Sequence, residues 1–256
     1  QAKLTNEFQE AAQVPLMIAM DAEWGLAMRL DSVYTFPWNM TLGALKDNVL
    51  VEQAGKRIAQ HCKRLGVHID FAPDIDINTN PQNPIIGNRS FGESKFNVAQ
   101  KGVAFTKGMQ SVGVLACGKH FPGHGDTEKD SHKTLPTVSF SRERLESTEF
   151  FPFQKLISAG VASLMVGHLN VPALDEGKPA SISYKIVSGL IKQQLGFQGL
   201  IFSDALGMKG VADYAESSQV DLQAFLAGND VLLMSSDPIK GIEALKNAYS
   251  AGTINE

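Results

Sequence analysis

The stretch Val114-Leu115-Ala116-Cys117-Gly118-Lys119-His120 passes from an apolar run directly to two side chains that can carry charge. Because consecutive positions are apolar, both faces of the run are apolar, which is typical of a buried parallel strand. Five similar runs occur, at residues 15–20, 67–71, 162–166, 199–202 and 230–234. Amphipathic segments lie between them, at residues 48–65, 95–112, 141–159, 185–195 and 219–227. This alternation predicts a parallel α/β fold.

Each of the six runs is followed by polar residues, in order Asp21 and Glu23, Asp74 and Asp76, Lys119 and His120, His168 and Asn170, Ser203 and Asp204, Ser235 and Ser236. Polar residues follow many strands simply because loops are polar, but this explanation weakens across six strands. Active sites of (β/α)₈ barrels are built at the carboxyl ends of several strands. The pattern suits such a ring better than the single crevice of an open sheet. The predicted fold is a TIM (β/α)₈-type barrel.

A closed barrel needs eight strands, and the chain begins within a helical pattern at Gln1. We therefore expect that the first two strands are missing from this chain. Residues 1–256 are expected to form a single catalytic barrel domain, incomplete at its N-terminus, with room for additional domains in the full-length chain.

The composition narrows the function classes. The net charge is −4 and both signs are mixed, so no basic footprint for nucleic acid is present. No apolar run is long enough to span a membrane. Cys62 and Cys117 exclude a disulfide framework and are expected to be buried thiols. The compartment, cytoplasmic or periplasmic in a bacterium, stays open because a signal peptide could precede Gln1.

The loop at residues 118–136 is the most informative segment for chemistry, because it contains His120, His124 and His132. Asp130 and His132 are separated by one residue, so the carboxylate can reach the imidazole and raise its basicity. The same residue types at close spacing also bind zinc, although no HExxH helix or cysteine cluster accompanies them. A solvated loop with incidental histidines is the third interpretation.

Three further positions are candidates, each with a structural alternative. Asp204 at a strand end could attack an anomeric carbon, or cap a helix. Asp21 and Glu23 precede Trp24, a combination that suits sugars, although Trp24 could equally pack in the core. Arg89 lies in a long loop, where it could bind hydroxyl groups, pair with a carboxylate or remain at the surface.

Taken together, the motifs resemble glycoside hydrolase family 3, and in particular its bacterial β-N-acetylglucosaminidase (β-hexosaminidase) branch. The matching segments, in the family's order, are Met20-Asp21-Ala22-Glu23-Trp24-Gly25, Phe71-Ala72-Pro73-Asp74-Ile75-Asp76, Asn88-Arg89-Ser90-Phe91-Gly92, Gly118-Lys119-His120-Phe121-Pro122-Gly123-His124-Gly125-Asp126, Asp130-Ser131-His132 and Ile201-Phe202-Ser203-Asp204. The resemblance implies that Asp204 is the nucleophile, His132 the general acid/base and Asp130 its partner. It assigns the binding of the reacting sugar to Asp21, Arg89, Lys119, His120 and His168.

The resemblance implies a retaining hydrolase that removes terminal β-linked N-acetylglucosamine through a covalent glycosyl-Asp204 intermediate, with no metal ion and no cofactor. Two departures from the family concern substrate contacts. Ala22 and Trp24 stand where the family often has Gln and Gly, and Ala205 stands where the β-glucosidase branch usually has Trp. The alternatives are a β-glucosidase or β-xylosidase, a sugar phosphorylase, and a non-catalytic sugar-binding module. Peptidoglycan-derived fragments, chitin-type oligosaccharides and glycan N-acetylglucosamine are all candidate substrates.

Overall fold

The structure is a computed structural model that describes residues 1–127 and 134–254. Five β-strands are present in these residues: β1 (Ala19–Met20), β2 (Ile69–Asp70), β3 (Leu115–Phe121), β4 (Ser163–Val166) and β5 (Leu200–Ser203). The α-helices are α1 (Ala2–Ala11), α2 (Asn39–Gly43), α3 (Asn48–Arg64), α4 (Lys95–Gln110), α5 (Arg142–Arg144), α6 (Phe150–Ser158), α7 (Lys209–Ala212), α8 (Ser217–Ala227) and α9 (Pro238–Ser250). Short 3₁₀ helices lie at Leu26–Met28, Gly87–Arg89 and Ala180–Ile182, and π-helical turns at Leu145–Glu149 and Lys185–Gln194.

The strands follow one another in the sheet in sequence order, β1-β2-β3-β4-β5. The register pairs Ala19 with Ile69 and Ile69 with Leu115, both in parallel. Such parallel neighbours need crossover connections, which the helices between the strands supply. The predicted α/β class and five of the six predicted strands are confirmed.

The prediction of a sixth strand at residues 230–234 is wrong. Among the described residues this segment contains only an isolated parallel bridge, between Phe202 and Val231. The regular ladder stops because the Ser203 hydroxyl accepts the hydrogen bond from Leu233 N, at 3.0 Å, in place of a backbone carbonyl. The run is also not a buried strand, because Val231, Leu232 and Leu233 are only half-buried and Met234 is exposed.

The chain divides into two compact units. The first comprises Gln1–Thr79, Ile86–Lys119 and Phe151–Ser163, and the second comprises Asn80–Ile85, His120–Phe150 and Leu164–Glu256. The expectation of one catalytic domain over residues 1–256 stays a prediction.

The first unit contains β1, β2 and most of β3, with α3 packed along α4. Glycines bring these two helices together. A Cβ at Gly55 of α3 would overlap the carbonyl oxygen of Phe105, and a Cβ at Gly108 of α4 would overlap that of Glu52. The unit also holds Cys62 and Cys117, which are buried, free thiols as predicted.

The second unit contains the end of β3, most of β4 and the whole of β5. The backbone of Gly167 donates to Phe121 O at 3.0 Å, and that of Asp204 donates to Val166 O at 2.9 Å. Its core includes a cluster formed by Ile182, Leu206, Val211, Val220 and Ala224. Among the described residues of both units, no helix has the length and hydropathy needed to cross a bilayer.

Candidate active site

Charged side chains converge at the carboxyl ends of β1, β2 and β3 in the first unit. Asp21 and Glu23 follow β1, Asp74 follows β2, and Lys119 lies within β3. A parallel bridge between Asp74 and Lys119 continues the pairing of β2 with β3 beyond the regular ladder. Because parallel strands end at the same edge of a sheet, side chains far apart in sequence are brought together here.

Lys119 is the buried cation of this group. Its ammonium lies 2.9 Å from Asp21 Oδ1 and 2.7 Å from Glu23 Oε1, while its side chain is only 3% exposed. Burial alone would lower the pKa of Lys119, but the carboxylates of Glu23 and Asp21 outweigh it and raise the pKa. Lys119 is therefore a permanent positive charge in this protein.

Arg89 also binds the carboxylate of Glu23. Its Nε and Nη2 donate to the two oxygens of Glu23 at 3.0 and 2.8 Å, which is the bidentate geometry that favours arginine. Asp74 Oδ2 lies 3.6 Å from Arg89 Nη2. The backbone carbonyl of Arg89 accepts from Asn39 Nδ2 at 2.8 Å, which holds the loop to α2.

Glu23 joins the two cations, and this role was missed in the sequence. Its side chain is completely buried. Burial would raise the pKa of Glu23, but Lys119 and Arg89 outweigh it and lower the pKa to about 2. The only sequence signal was its position two residues after Asp21; its partners lie 66 and 96 residues further along the chain, beyond the reach of a local pattern.

Asp21 differs from Glu23 because its carboxylate is partly accessible, with 33% of the side chain exposed. Arg29 Nη2 contacts its Oδ2 at 2.7 Å. Burial would raise the pKa of Asp21, yet Lys119 and then Arg29 bring it well below its ordinary range. The arrangement keeps an ionised carboxylate at the surface of the cluster, available as a hydrogen-bond acceptor.

Asp204 lies in the second unit, directly after β5, and its side chain is half-buried. Its Oδ1 accepts from Ala205 N at 2.8 Å, and the next helix, α7, begins only at Lys209. Asp204 is therefore not the cap of that helix. Its position at a strand end suits a carboxylate that reacts.

His168 contacts the residue that follows Asp204, and its side chain is completely buried. Its Nδ1 lies 2.7 Å from Ser181 Oγ, and its Nε2 lies 2.9 Å from Ala205 O. A carbonyl oxygen can only accept, so Nε2 carries the proton. The ring thus holds the residue that follows Asp204, an arrangement that the sequence did not indicate.

The segment after β3 is held by a contact between two of its own residues and by Asn83. His124 Nδ1 lies 2.6 Å from Thr127 Oγ1, and its carbonyl accepts from Asn83 Nδ2 at 2.8 Å. The rings of His120 and His124 are 5.9 Å apart and nearly perpendicular, and both are buried. Asp130 and His132 lie outside the described residues, so the predicted dyad stays a prediction.

Comparisons with known proteins agree with the motifs. A family model described as "Glycosyl hydrolase family 3 N terminal domain" matches residues 1–256. "Beta-hexosaminidase A" of Pseudoalteromonas piscicida is 37% identical over 90% of the chain, which spans 42% of that protein.

Solved structures give the same result. A glycoside hydrolase family 3 β-N-acetylglucosaminidase from Paenibacillus is 40% identical in sequence and superposes with a TM-score of 0.95. The match covers the whole of this chain and 50% of the Paenibacillus protein chain. The β-glucoside phosphorylase BglX is 27% identical, with a TM-score of 0.94, over the whole chain and 48% of its own length. The chain therefore spans about half the length of these relatives.

Proposed function

Since the chain belongs to glycosyl hydrolase family 3, we propose that it carries the active site of a retaining β-N-acetylhexosaminidase that removes terminal β-linked N-acetylglucosamine. The family predicted from the motifs is confirmed, and the curated relative above is named for the predicted enzyme class. The complete catalytic domain is proposed to be a (β/α)₈-type barrel to which β1–β5 contribute. The activity of the full-length protein is a proposal, because the chain spans about half of its relatives.

The observation that carries this proposal is the state of Asp21. An ionised, partly exposed carboxylate held by Lys119 and Arg29 is well suited to accept hydrogen bonds from sugar hydroxyl groups. Lys119 and Arg89, fixed on Glu23, supply charge-assisted donors around it. Because these salt bridges fix the side chains within the protein, the charges are held in a defined arrangement that a sugar can use.

The reaction follows from the chemistry of the remaining residues. Asp204 attacks the anomeric carbon, and His132, steadied by Asp130, protonates the leaving oxygen. A covalent glycosyl-Asp204 forms, and water activated by neutral His132 releases the sugar with retained configuration. Asp21, Arg89, Lys119 and His120 orient the sugar hydroxyl groups; the resemblance adds His168 to this group. No step requires a metal ion or a cofactor.

Ala205 supports the N-acetylated substrate. Its side chain is a single methyl group where the β-glucosidase branch usually has Trp, so the position next to Asp204 leaves room for an acetamido group. Peptidoglycan-derived and chitin-type oligosaccharides both present such a terminal sugar.

Turnover by Asp204→Ala tests the proposal. We expect wild-type protein to hydrolyse aryl N-acetylglucosaminide faster than aryl glucoside, and the variant to lose at least a thousandfold in kcat while unfolding as wild type does. Asp213→Ala, a change of another aspartate that follows β5, is the matched control. Wild-type-like turnover by Asp204→Ala would remove the nucleophile assignment.

A phosphorylase is the second candidate, supported by the 27% identity with the β-glucoside phosphorylase. A histidine acid/base repels an anionic nucleophile less than a carboxylate does, so phosphate could replace water in the second step. Product analysis with and without inorganic phosphate separates the two: a hydrolase releases free N-acetylglucosamine in both, whereas a phosphorylase releases the sugar 1-phosphate.

A further inference from the structure

Glu149 is a buried acidic residue of the second unit that the proposed reaction does not use. Its side chain is only 7% exposed, and its Oε1 accepts from Arg144 Nη2 at 3.1 Å. Its Oε2 is buried and has no hydrogen-bond partner among the residues that the structure describes. A buried carboxyl group with an unpaired oxygen costs stability relative to an apolar side chain. A role other than filling space would explain its presence.

Glu149 packs against the segment that follows β3. Gly123 adopts φ 125°, and a Cβ there would lie 3.0 Å from Glu149 Cβ and 3.1 Å from Glu149 Cγ. Because residue 123 has no side chain, Glu149 lies directly on its backbone. Gly123 N donates to His120 O at 2.8 Å, which closes a turn at residues 120–123. Glu149 therefore contacts the turn that contains His120, a residue that the proposed function assigns to sugar binding.

The helical turn that ends at Glu149 places a second side chain on this segment. Leu145–Glu149 is a π-helical turn, and Phe150 follows it directly. The ring of Phe150 stacks on that of Phe121, with centroids 5.4 Å apart and planes inclined by 26°. π-Helical turns insert an extra residue into a helix and occur often at functional sites. Two consecutive residues thus support the same turn, Glu149 at Gly123 and Phe150 at Phe121.

Arg144 and Asp126 act on the carboxyl group of Glu149. Burial raises the pKa of Glu149, and the charge of Asp126 acts in the same direction. The hydrogen bond from Arg144 and its positive charge oppose this shift without cancelling it. Arg144 has a second contact, because its guanidinium carbon lies 4.5 Å from the centroid of the Phe140 ring. Arg144 therefore holds the far end of the Glu149 side chain, while Cβ and Cγ of Glu149 pack on the turn.

We propose that Glu149 is a positioning residue that holds the turn at residues 120–123 and thereby fixes His120 for binding of the reacting sugar. This inference rests on the proposed function. All of the contacts that support it lie within the second unit.

A double-mutant cycle in the full-length protein separates positioning from general destabilisation. Glu149→Ala should lower kcat/KM for aryl N-acetylglucosaminide about tenfold, because a misplaced binding group stabilises the transition state less. In a His120→Ala background the same change should cost at most about twofold, since the residue through which it acts is gone. Glu149→Gln, which keeps the side-chain length and an acceptor for Arg144, should recover most of the loss.

Glu146→Ala is the matched control, because it changes an exposed glutamate of the same π-helical turn. It should keep the wild-type kcat/KM. Equal losses from Glu149→Ala in both backgrounds, or an equal loss in Glu146→Ala, would overturn the positioning role.

Hydrogen exchange of the full-length protein tests the contact without catalysis. Peptides that cover residues 120–127 should exchange about tenfold faster in Glu149→Ala than in wild type, whereas peptides from α3 should exchange alike in both. Unchanged exchange at residues 120–127 rejects the positioning role whatever the activity. If the wild-type protein hydrolyses no N-acetylglucosaminide but Glu149→Ala still speeds this exchange, Glu149 holds the turn and the proposed function fails.

Discussion

At the residue scale, His168 has contacts within the protein that suggest a second role beside the one implied by resemblance. The family resemblance placed His168 among the groups that bind the sugar. In the structure the ring is fully buried and both of its nitrogens have partners within the protein, Ser181 and Ala205. These contacts favour a positioning residue that fixes the turn after Asp204.

The donor at Nε2 is the testable part of this assignment. His168→Leu removes it, whereas His168→Gln keeps an N–H donor at a similar distance along the side chain. We expect the leucine variant to lose roughly 10- to 100-fold in kcat with little change in KM, since a misplaced nucleophile slows chemistry more than binding. The glutamine variant should recover part of the loss.

Steady-state kinetics of both variants measures these effects. Ser181→Ala is the control, because it removes the partner of His168 Nδ1 and leaves the Nε2 contact in place. A raised KM at unchanged kcat would indicate instead that His168 contacts the substrate. That result would restore the role implied by the resemblance.

Whether the sequence could predict a feature of the site depended on how far apart in the chain the contacting residues lie. Asp21, Lys119 and Asp204 could be named as candidates because each lies at or just after the end of an apolar run, which is a local signal. Glu23 as the centre of the cluster could not be found, because its cations come from other strands and loops. The contact between the rings of Trp24 and Trp38 depends on the path of a loop, which no periodicity encodes.

At the element scale, the strands were predictable from continuous apolar runs, and the long helices were predictable from their amphipathic period. The start of α3 at Asn48 and of α4 at Lys95 agree with the amphipathic patterns. The closeness of the two helices was not predictable, because a glycine in a helix has no side chain to enter a hydrophobic pattern. Only the structure shows that Gly55 and Gly108 face the partner helix's backbone.

Because the two helices lie so close, we expect that adding a single methyl group between them lowers the stability of the fold. Gly108→Ala would drive a Cβ into the Glu52 carbonyl, which is backbone and cannot rotate away. We expect a loss of about 1–3 kcal/mol in the free energy of unfolding, because the helices must separate. Urea denaturation measures it.

Gly189→Ala is the matched control, because a Cβ there has only ordinary contact, 3.7 Å from Tyr184 O. It should be neutral or slightly stabilising, as alanine favours helix over glycine. Equal losses in both variants would mean that the helix contact is not the cause.

At the scale of the whole molecule, the carboxylates of the first unit make folding stability depend on pH. Burial raises the pKa of Asp70 to about 7, and the neighbouring charges of Asp21 and Glu23 act in the same direction. Its Oδ1 accepts from Ala22 N at 2.9 Å, and this hydrogen bond and the positive charge of Lys119 lower the pKa without cancelling the effect of burial. The folded protein thus keeps a proton on Asp70 at pH values where the unfolded chain has released it.

The sign of the pH effect follows from this difference. Between pH 4 and pH 7 the folded state binds more protons at Asp70 than the unfolded state, so this residue's contribution to stability falls as the pH rises.

Asp70→Asn keeps an acceptor for Ala22 N but cannot ionise. We therefore expect the variant to gain stability relative to wild type by roughly 2–4 kcal/mol between pH 4 and pH 8. Urea denaturation across this range measures the difference. Asp31→Asn, a change of an exposed aspartate, controls for the loss of one negative charge. A constant difference between Asp70→Asn and wild type would show that Asp70 ionises alike in the folded and unfolded states, and would rule out a buried, protonated carboxyl at this position.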